Sequence, residues 1–141
     1  MDQLIEFVGN HLPLSVTFLA LLVLLIVTEV RRRGQGFNEL SPIEATQVMN
    51  RRPTVMLDVR EDREYQEGHI VNAIHIPLSK LNERAKELQK HKNKAIIAYC
   101  RTGNRSASAS ARLHKQGFET VYNLRGGISA WQRENLPLSR K

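Results

Sequence analysis

The chain has 141 residues, a formal net charge of +7 and a single cysteine, which is room for one ordinary domain plus an appendage. One cysteine excludes an intramolecular disulfide framework, and no C-x-x-C pair or Cys/His cluster has zinc spacing, so no metal is expected and the soluble part should work in a reducing compartment. The 21 basic residues are spread along the chain without interleaved aromatics, which argues against a nucleic-acid partner.

From Phe7 to Thr28 there is no Asp, Glu, Lys or Arg, and Phe18 to Val27 is apolar without a break. About 20 apolar residues rising 1.5 Å each cross a hydrocarbon core of roughly 30 Å, so one transmembrane helix is expected. A cleaved signal peptide would open on a basic stretch, whereas this chain opens with Asp2 and Glu6. A small domain also has little room to bury a helix that is apolar all round. Arg31-Arg32-Arg33 follows at once and the other flank has no Lys or Arg, which places the N-terminus outside and the large C-terminal part in the cytoplasm. Because residues 1–30 carry three acids and no base, the remainder has 21 basic against 11 acidic residues. That field would draw small anions and anionic lipid headgroups. The expected division is an anchor with its basic flank at 1–33, a linker at 34–37 and a domain at 38–141.

Ser41-Pro42-Ile43-Glu44 is a helix start with serine as N-cap, proline in the first turn and glutamate closing a capping box. Val55-Met56-Leu57 reads as a buried strand ending at Asp58, and Arg60 to Gly68 as a charged surface segment. Ala73 to Ile76 is a second short strand closed by Pro77. Ser79 is expected to cap a helix in which Leu81, Ala85 and Leu88 recur at helical spacing. Ala95 to Tyr99 is another strand, Ala107 to Gln116 a helix stopped by Gly117, and Thr120 to Leu124 a further strand. Gly126-Gly127 leads into a last helix around Trp131. Short apolar strands alternating with helices indicate an α/β domain with a mainly parallel central sheet flanked by helices.

The chemistry concentrates in Tyr99–Ser106, Y-C-R-T-G-N-R-S. A strand turning through a small glycine-containing loop into a helix points several amides inward and sets the positive end of the helix dipole behind them. Cys100 stands at the mouth of that loop with Arg101 and Arg105 nearby, an environment that favours the thiolate and makes the sulfur nucleophilic near neutral pH. A lone cysteine is ordinarily a buried inert thiol, and it is the loop that reverses this reading. Asp58 and Arg60 are expected to form an ion pair or cap. His69, His75, His91 and His114 show no ligand spacing, Trp131 is expected as a core anchor, and Lys86, Lys90, Lys92 and Lys94 as a solvated face.

Three blocks together resemble a single-domain rhodanese, a thiosulfate sulfurtransferase-like module: Leu57-Asp58-Val59-Arg60-Glu61 with Tyr65, Gly68-His69-Ile70, Ala73 and Pro77; the loop Cys100–Ser106; and Gly126-Gly127-Ile128 with Trp131. The likeness covers roughly residues 38–138, and the anchor resembles that of membrane-bound rhodanese-like proteins of Gram-negative bacteria, hence an inner membrane. It implies a Cys100 persulfide formed from a small anionic donor such as thiosulfate and passed to a thiol or protein acceptor, without a cofactor. The amides of Arg101, Thr102, Gly103, Asn104 and Arg105 would cradle the persulfide, and the guanidinium groups of Arg101 and Arg105 would hold the donor. Four residues separate Cys100 from Arg105, one fewer than in the phosphatases that resemble this fold, which favours sulfur over phosphoryl chemistry. The alternative is a non-catalytic module that recruits a partner to the membrane.

Overall fold

The apolar run near the N-terminus is helical in the computed structural model, which describes residues 1–141. Two units emerge, Met1–Gln35 and Gly36–Lys141. The first holds α1 (Asp2–Asn10) and α2 (Leu12–Arg33). None of the α2 side chains is buried, and it is the one helix long and apolar enough to cross a membrane. Pro13 sits in its first turn, where no hydrogen bond is lost, and Arg31, Arg32 and Arg33 occupy its last turn, against the negative end of the helix dipole. Arg33 Nε meets Glu29 Oε1 at 3.2 Å, an exposed i,i+4 pair.

The second unit runs β1 (Asn38–Leu40), α3 (Pro42–Arg51), β2 (Thr54–Asp58), α4 (Asp62–Glu67), β3 (His69–Ile70), β4 (Ile74–His75), α5 (Leu81–Arg84), β5 (Ala95–Tyr99), α6 (Asn104–Lys115), β6 (Val121–Leu124), α7 (Gly127–Arg133) and β7 (Leu138–Ser139). Five strands form one sheet in the order β1-β6-β5-β2-β4, every neighbouring pair parallel. Both faces of such a sheet must be covered, and the alternation along β5 does this. Ile96, Ala98 and then Cys100 point to a cluster with Leu57, Leu88, Ala109 and Leu113. Ile97 and Tyr99 point to the opposite cluster with Ala45, Met56, Ile128 and Trp131.

The expected capping box is present: the Glu44 amide donates to Ser41 Oγ at 3.2 Å and the Ser41 amide to Glu44 Oε2 at 2.7 Å. Gly117, at φ +93°, ends α6 in a Schellman pair, with the Gly117 amide bound to His114 O at 3.1 Å and the Phe118 amide to Leu113 O at 3.2 Å. The helix expected from Ser79 is different. Residues 78–80 and 85–91 are 3-10 turns around the single α-turn of α5, and Ser79 caps nothing. Leu81, Ala85 and Leu88 still reach the core, so burial follows the apolar spacing while the backbone between is tighter than an α-helix. The charged segment after Arg60 does form a helix, α4, closed by a Glu61–Glu64 capping box. A small antiparallel pair, β3 with β7, brings the C-terminal segment back beside His69 and Ile70.

Candidate active site

Parallel register puts the C-terminal ends of the central strands side by side. Asp58 lies beside Tyr99 and Ala98 beside Asn123, so Cys100, the first residue beyond β5, sits at the mouth of the sheet between them. Ligands of open parallel sheets bind at this end. The chain turns through Arg101-Thr102 to Gly103, whose φ of +107° suits glycine and which caps α6. The turn swings the Gly103 amide back onto Cys100 Sγ at 3.1 Å, and Ser106 Oγ lies 3.4 Å from the same sulfur. Cys100 is only 1% exposed. Burial alone would push its thiol up. The Ser106 hydroxyl and the amides of Ser106, Gly103 and Thr102 outweigh it and bring the thiol below its ordinary value. Of the five amides expected around the sulfur, those of Thr102 and Gly103 bear on it, and Ser106, outside the expected set, joins them.

Ser106 Oγ also stands 2.6 Å from Asn123 Oδ1, to which it donates, while Asn123 Nδ2 donates to Gly103 O at 3.1 Å. The β6 asparagine thereby ties the middle of the loop to its C-terminal end, and it is buried. Asn123 is a polar residue inside a short strand whose two faces are both covered, and that is the signal by which the sequence exposes it.

The two arginines of the loop have different situations. Arg105 makes a bidentate pair with Glu64, Nη1 to Oε2 at 2.7 Å and Nη2 to Oε1 at 2.8 Å. This clamp, joined by the Glu61 amide, holds the Glu64 carboxyl down at about 2 despite partial burial. Arg101, by contrast, is exposed, as are Thr102 and Asn104. Glu64 escaped the sequence reading. Its place three residues after Glu61 marks a helix start, but its partner is 41 residues away and no local pattern names it.

Asp58 and Arg60 form the expected ion pair, Arg60 Nη2 to Asp58 Oδ2 at 2.7 Å, both buried, with Nη2 also donating to Gly68 O at 2.7 Å. Beside them Tyr99 keeps its proton at neutral pH: burial and the nearby Asp58, to which the hydroxyl donates, push it upward, and its oxygen accepts the Ile70 amide at 3.0 Å. His69 and His75 both stack on Tyr65, at 3.9 and 4.3 Å between ring centroids. No three His, Cys, Asp or Glu side chains are grouped to hold a metal ion.

Behind the loop, Gly126 and Gly127 take φ of +75° and +59°. The Ile128 amide then reaches Cys100 O at 2.9 Å and the Ser129 amide Arg101 O at 3.2 Å. A Cβ at Gly127 would collide with those same two carbonyls. Trp131, 2% exposed, anchors α7 in the core and donates Nε1 to Pro137 O at 3.1 Å.

Set against known proteins, residues 41–134 match the rhodanese-like domain. The Escherichia coli protein YibN, uncharacterised, is 33% identical over 141 residues, with 99% of each chain covered. A thiosulfate sulfurtransferase of Coxiella burnetii, GlpE, is 36% identical over 96 residues, which is 68% of this chain and 88% of that one. Among solved structures, a rhodanese-related protein of Thermoplasma volcanium superposes with a TM-score of 0.67 at 31% identity, covering 74% of this chain and all of the other.

Proposed function

The chain belongs to the rhodanese-like family of sulfurtransferases, and from that premise we propose that it is a membrane-anchored enzyme that moves a sulfane sulfur through a persulfide on Cys100. The observation that carries this reading is the sulfur at the floor of the loop, with the Gly103 amide at 3.1 Å and a thiol held below its ordinary value in spite of burial. The Cys100 thiolate attacks the outer sulfur of thiosulfate, that S–S bond breaks, and its electron pair leaves with sulfite. The negative charge of the new persulfide moves outward by one atom, towards the amides of Thr102, Gly103 and Ser106, with those of Arg101, Asn104 and Arg105 closing the cradle. A thiol or protein acceptor then takes the outer sulfur and regenerates the thiolate.

The exposed Arg101 is the cation free to steer the anionic donor. Arg105, paired with Glu64, holds α6 and α4 against each other and also brings its guanidinium to bear on the Cys100 sulfur. Residues 1–33 form the anchor, 34–37 the linker and 38–141 the catalytic domain. The triple arginine in the last turn of α2 favours a cytoplasmic domain and an outside N-terminus, and the whole-length likeness to a bacterial protein favours a bacterial inner membrane.

Incubating the full chain with thiosulfate should add the mass of one sulfur atom at Cys100, and Cys100→Ser should abolish both the adduct and thiocyanate formation from cyanide. A folded chain that takes up no sulfur would overturn the reading. The near-complete burial of Cys100 favours one competitor, a non-catalytic module that recruits a partner to the membrane. In that case Cys100→Ser would leave the cellular phenotype intact while removal of residues 1–30 would abolish it.

A further inference from the structure

All strands of the central sheet point the same way, so β1, which receives the chain from the linker, begins at the end of the sheet opposite Cys100. Each crossover must return the chain to that end before the next strand starts. The last turns of α3 and α6 therefore lie there, with Arg51 on the first and Arg112 and Lys115 on the second. Arg52 follows just before β2, and Lys92 and Lys94 just before β5. None of these cations belongs to an ion pair. Glu119 is the one acid among residues 51–53, 92–94 and 116–120, which lead into β2, β5 and β6. At the other end the segment after β2 carries Glu61, Asp62, Glu64 and Glu67, so positive charge collects at the end away from the sulfur. Helix dipoles account for cations in the last turns of α3 and α6, but not for Lys92 and Lys94, which precede a strand.

The attachment of the chain is at this same end. Gly36, at φ +73°, sits against the His114 ring, which occupies the place a Cβ would take, and Phe37 packs on the core cluster that holds Leu113 and Phe118. The backbone from Arg33 to Gly36 reaches at most about 10 Å, close to one Debye length at roughly 0.1 M salt. We propose that the basic end of the sheet is a docking face for the anionic lipid surface that receives α2, and that the mouth at Cys100 opens away from the bilayer. The proposal rests on the membrane-anchor reading and adds to it which face meets the lipid. Each cation brought near an anionic bilayer raises the docked population about fivefold. A cleft of about 200 Å³, lined by Arg52, Lys92, Asn93, Glu119 and Thr120, indents this face, and there the Asn93 amide and the Thr120 hydroxyl can add hydrogen bonds to a headgroup phosphate. The residues of β5 then stand between lipid and sulfur, roughly 15–20 Å of strand, so donor and acceptor reach Cys100 from solution.

The test uses the full chain in nanodiscs doped with a lipid whose headgroup carries a gadolinium chelate, made of phosphatidylcholine alone or with phosphatidylglycerol added. Broadening of each amide resonance reads its distance from the lipid surface. With phosphatidylglycerol, broadening at Asn93 and Lys115 should exceed that at Thr102 and Ser129, which lie at the Cys100 end. It should also rise about three- to fivefold over its value in phosphatidylcholine, and added salt should reverse the rise. Arg52→Glu combined with Lys92→Glu should abolish the rise and leave the amide resonances of the Cys100 loop in place, because both residues lie a strand's length from it. Broadening that is indifferent to lipid charge, or larger at Thr102 and Ser129, overturns the docking face. Flotation separates this from failure of the anchor. A chain that stays behind when the nanodiscs float overturns the anchor reading and this proposal with it, whereas a chain that floats without charge-dependent broadening overturns the docking face alone.

Discussion

At Cys100 burial and hydrogen bonding act on the sulfur with opposite sign, and the donors win. Ser106 contributes most on the lowering side, yet its hydroxyl has one proton and Asn123 Oδ1 at 2.6 Å competes for it. A sulfur that becomes charged can draw that proton across, so Ser106 is an adjustable donor while the Gly103 amide is fixed. Ser106→Ala should therefore shift the pH profile of Cys100 alkylation to higher pH and slow alkylation at neutral pH by about three- to tenfold, the worth of one donor to a charged group. An unshifted profile would mean the amides alone hold the thiolate. Glu64 gives a separate pH signature. Its folded carboxyl sits at about 2 against an ordinary 4.5, so the stability it contributes is complete above pH 4.5 and is lost as pH falls towards 2. With a quarter of its side chain exposed, the clamp contributes about 1–2 kcal/mol after allowance for solvent screening. Glu64→Gln should cost that much at pH 7 in urea unfolding and flatten the loss of stability between pH 4.5 and 2.

Elements that carry their own punctuation were legible in the sequence. The Ser41–Glu44 box, the stop at Gly117 and the strand–glycine–helix passage through Cys100 each depend on neighbours a few residues apart. What stayed hidden depends on distance or on backbone choice. The Glu64–Arg105 clamp and the β3–β7 pair join residues far apart in the chain. Residues 78–91 keep their helical spacing of apolar groups in a mostly 3-10 backbone, because three buried side chains leave the winding between them open. The Gly126-Gly127 pair was legible as a helix entry but not as the rear wall of the loop. At φ +59° and against the carbonyls of Cys100 and Arg101, Gly127→Ala meets both backbone strain and overlap. It should cost about 2–4 kcal/mol, measurable as a lower urea midpoint with an unchanged slope. Because α7 then releases the Cys100 and Arg101 carbonyls at the start of the loop, thiosulfate loading of Cys100 should slow as well. Gly9→Ala, at a glycine with open space around it, should do neither.

At the scale of the whole molecule, charge and apolar surface are segregated along the chain. The α2 side chains Phe18 to Val27 are all well exposed to their surroundings, and leaving each large one in water costs about 1.5–3 kcal/mol. A helix so composed is stable beside lipid, and the arginines at its end resist transfer across it. Removal of residues 1–30 should therefore turn a membrane-fraction protein into a soluble one that retains its parallel sheet, since the core clusters draw on no residue before Phe37. Orientation needs a better reporter than Cys100, whose 1% exposure slows any bulky reagent on either side of a membrane. In a Cys100→Ser background, Lys141→Cys places a lone thiol at the exposed C-terminus. A membrane-impermeant maleimide should label it in inverted vesicles and spare it in intact spheroplasts. The reverse pattern would put the rhodanese-like domain outside, where the arginine-flanked helix could hold it only against the charge bias of its own sequence.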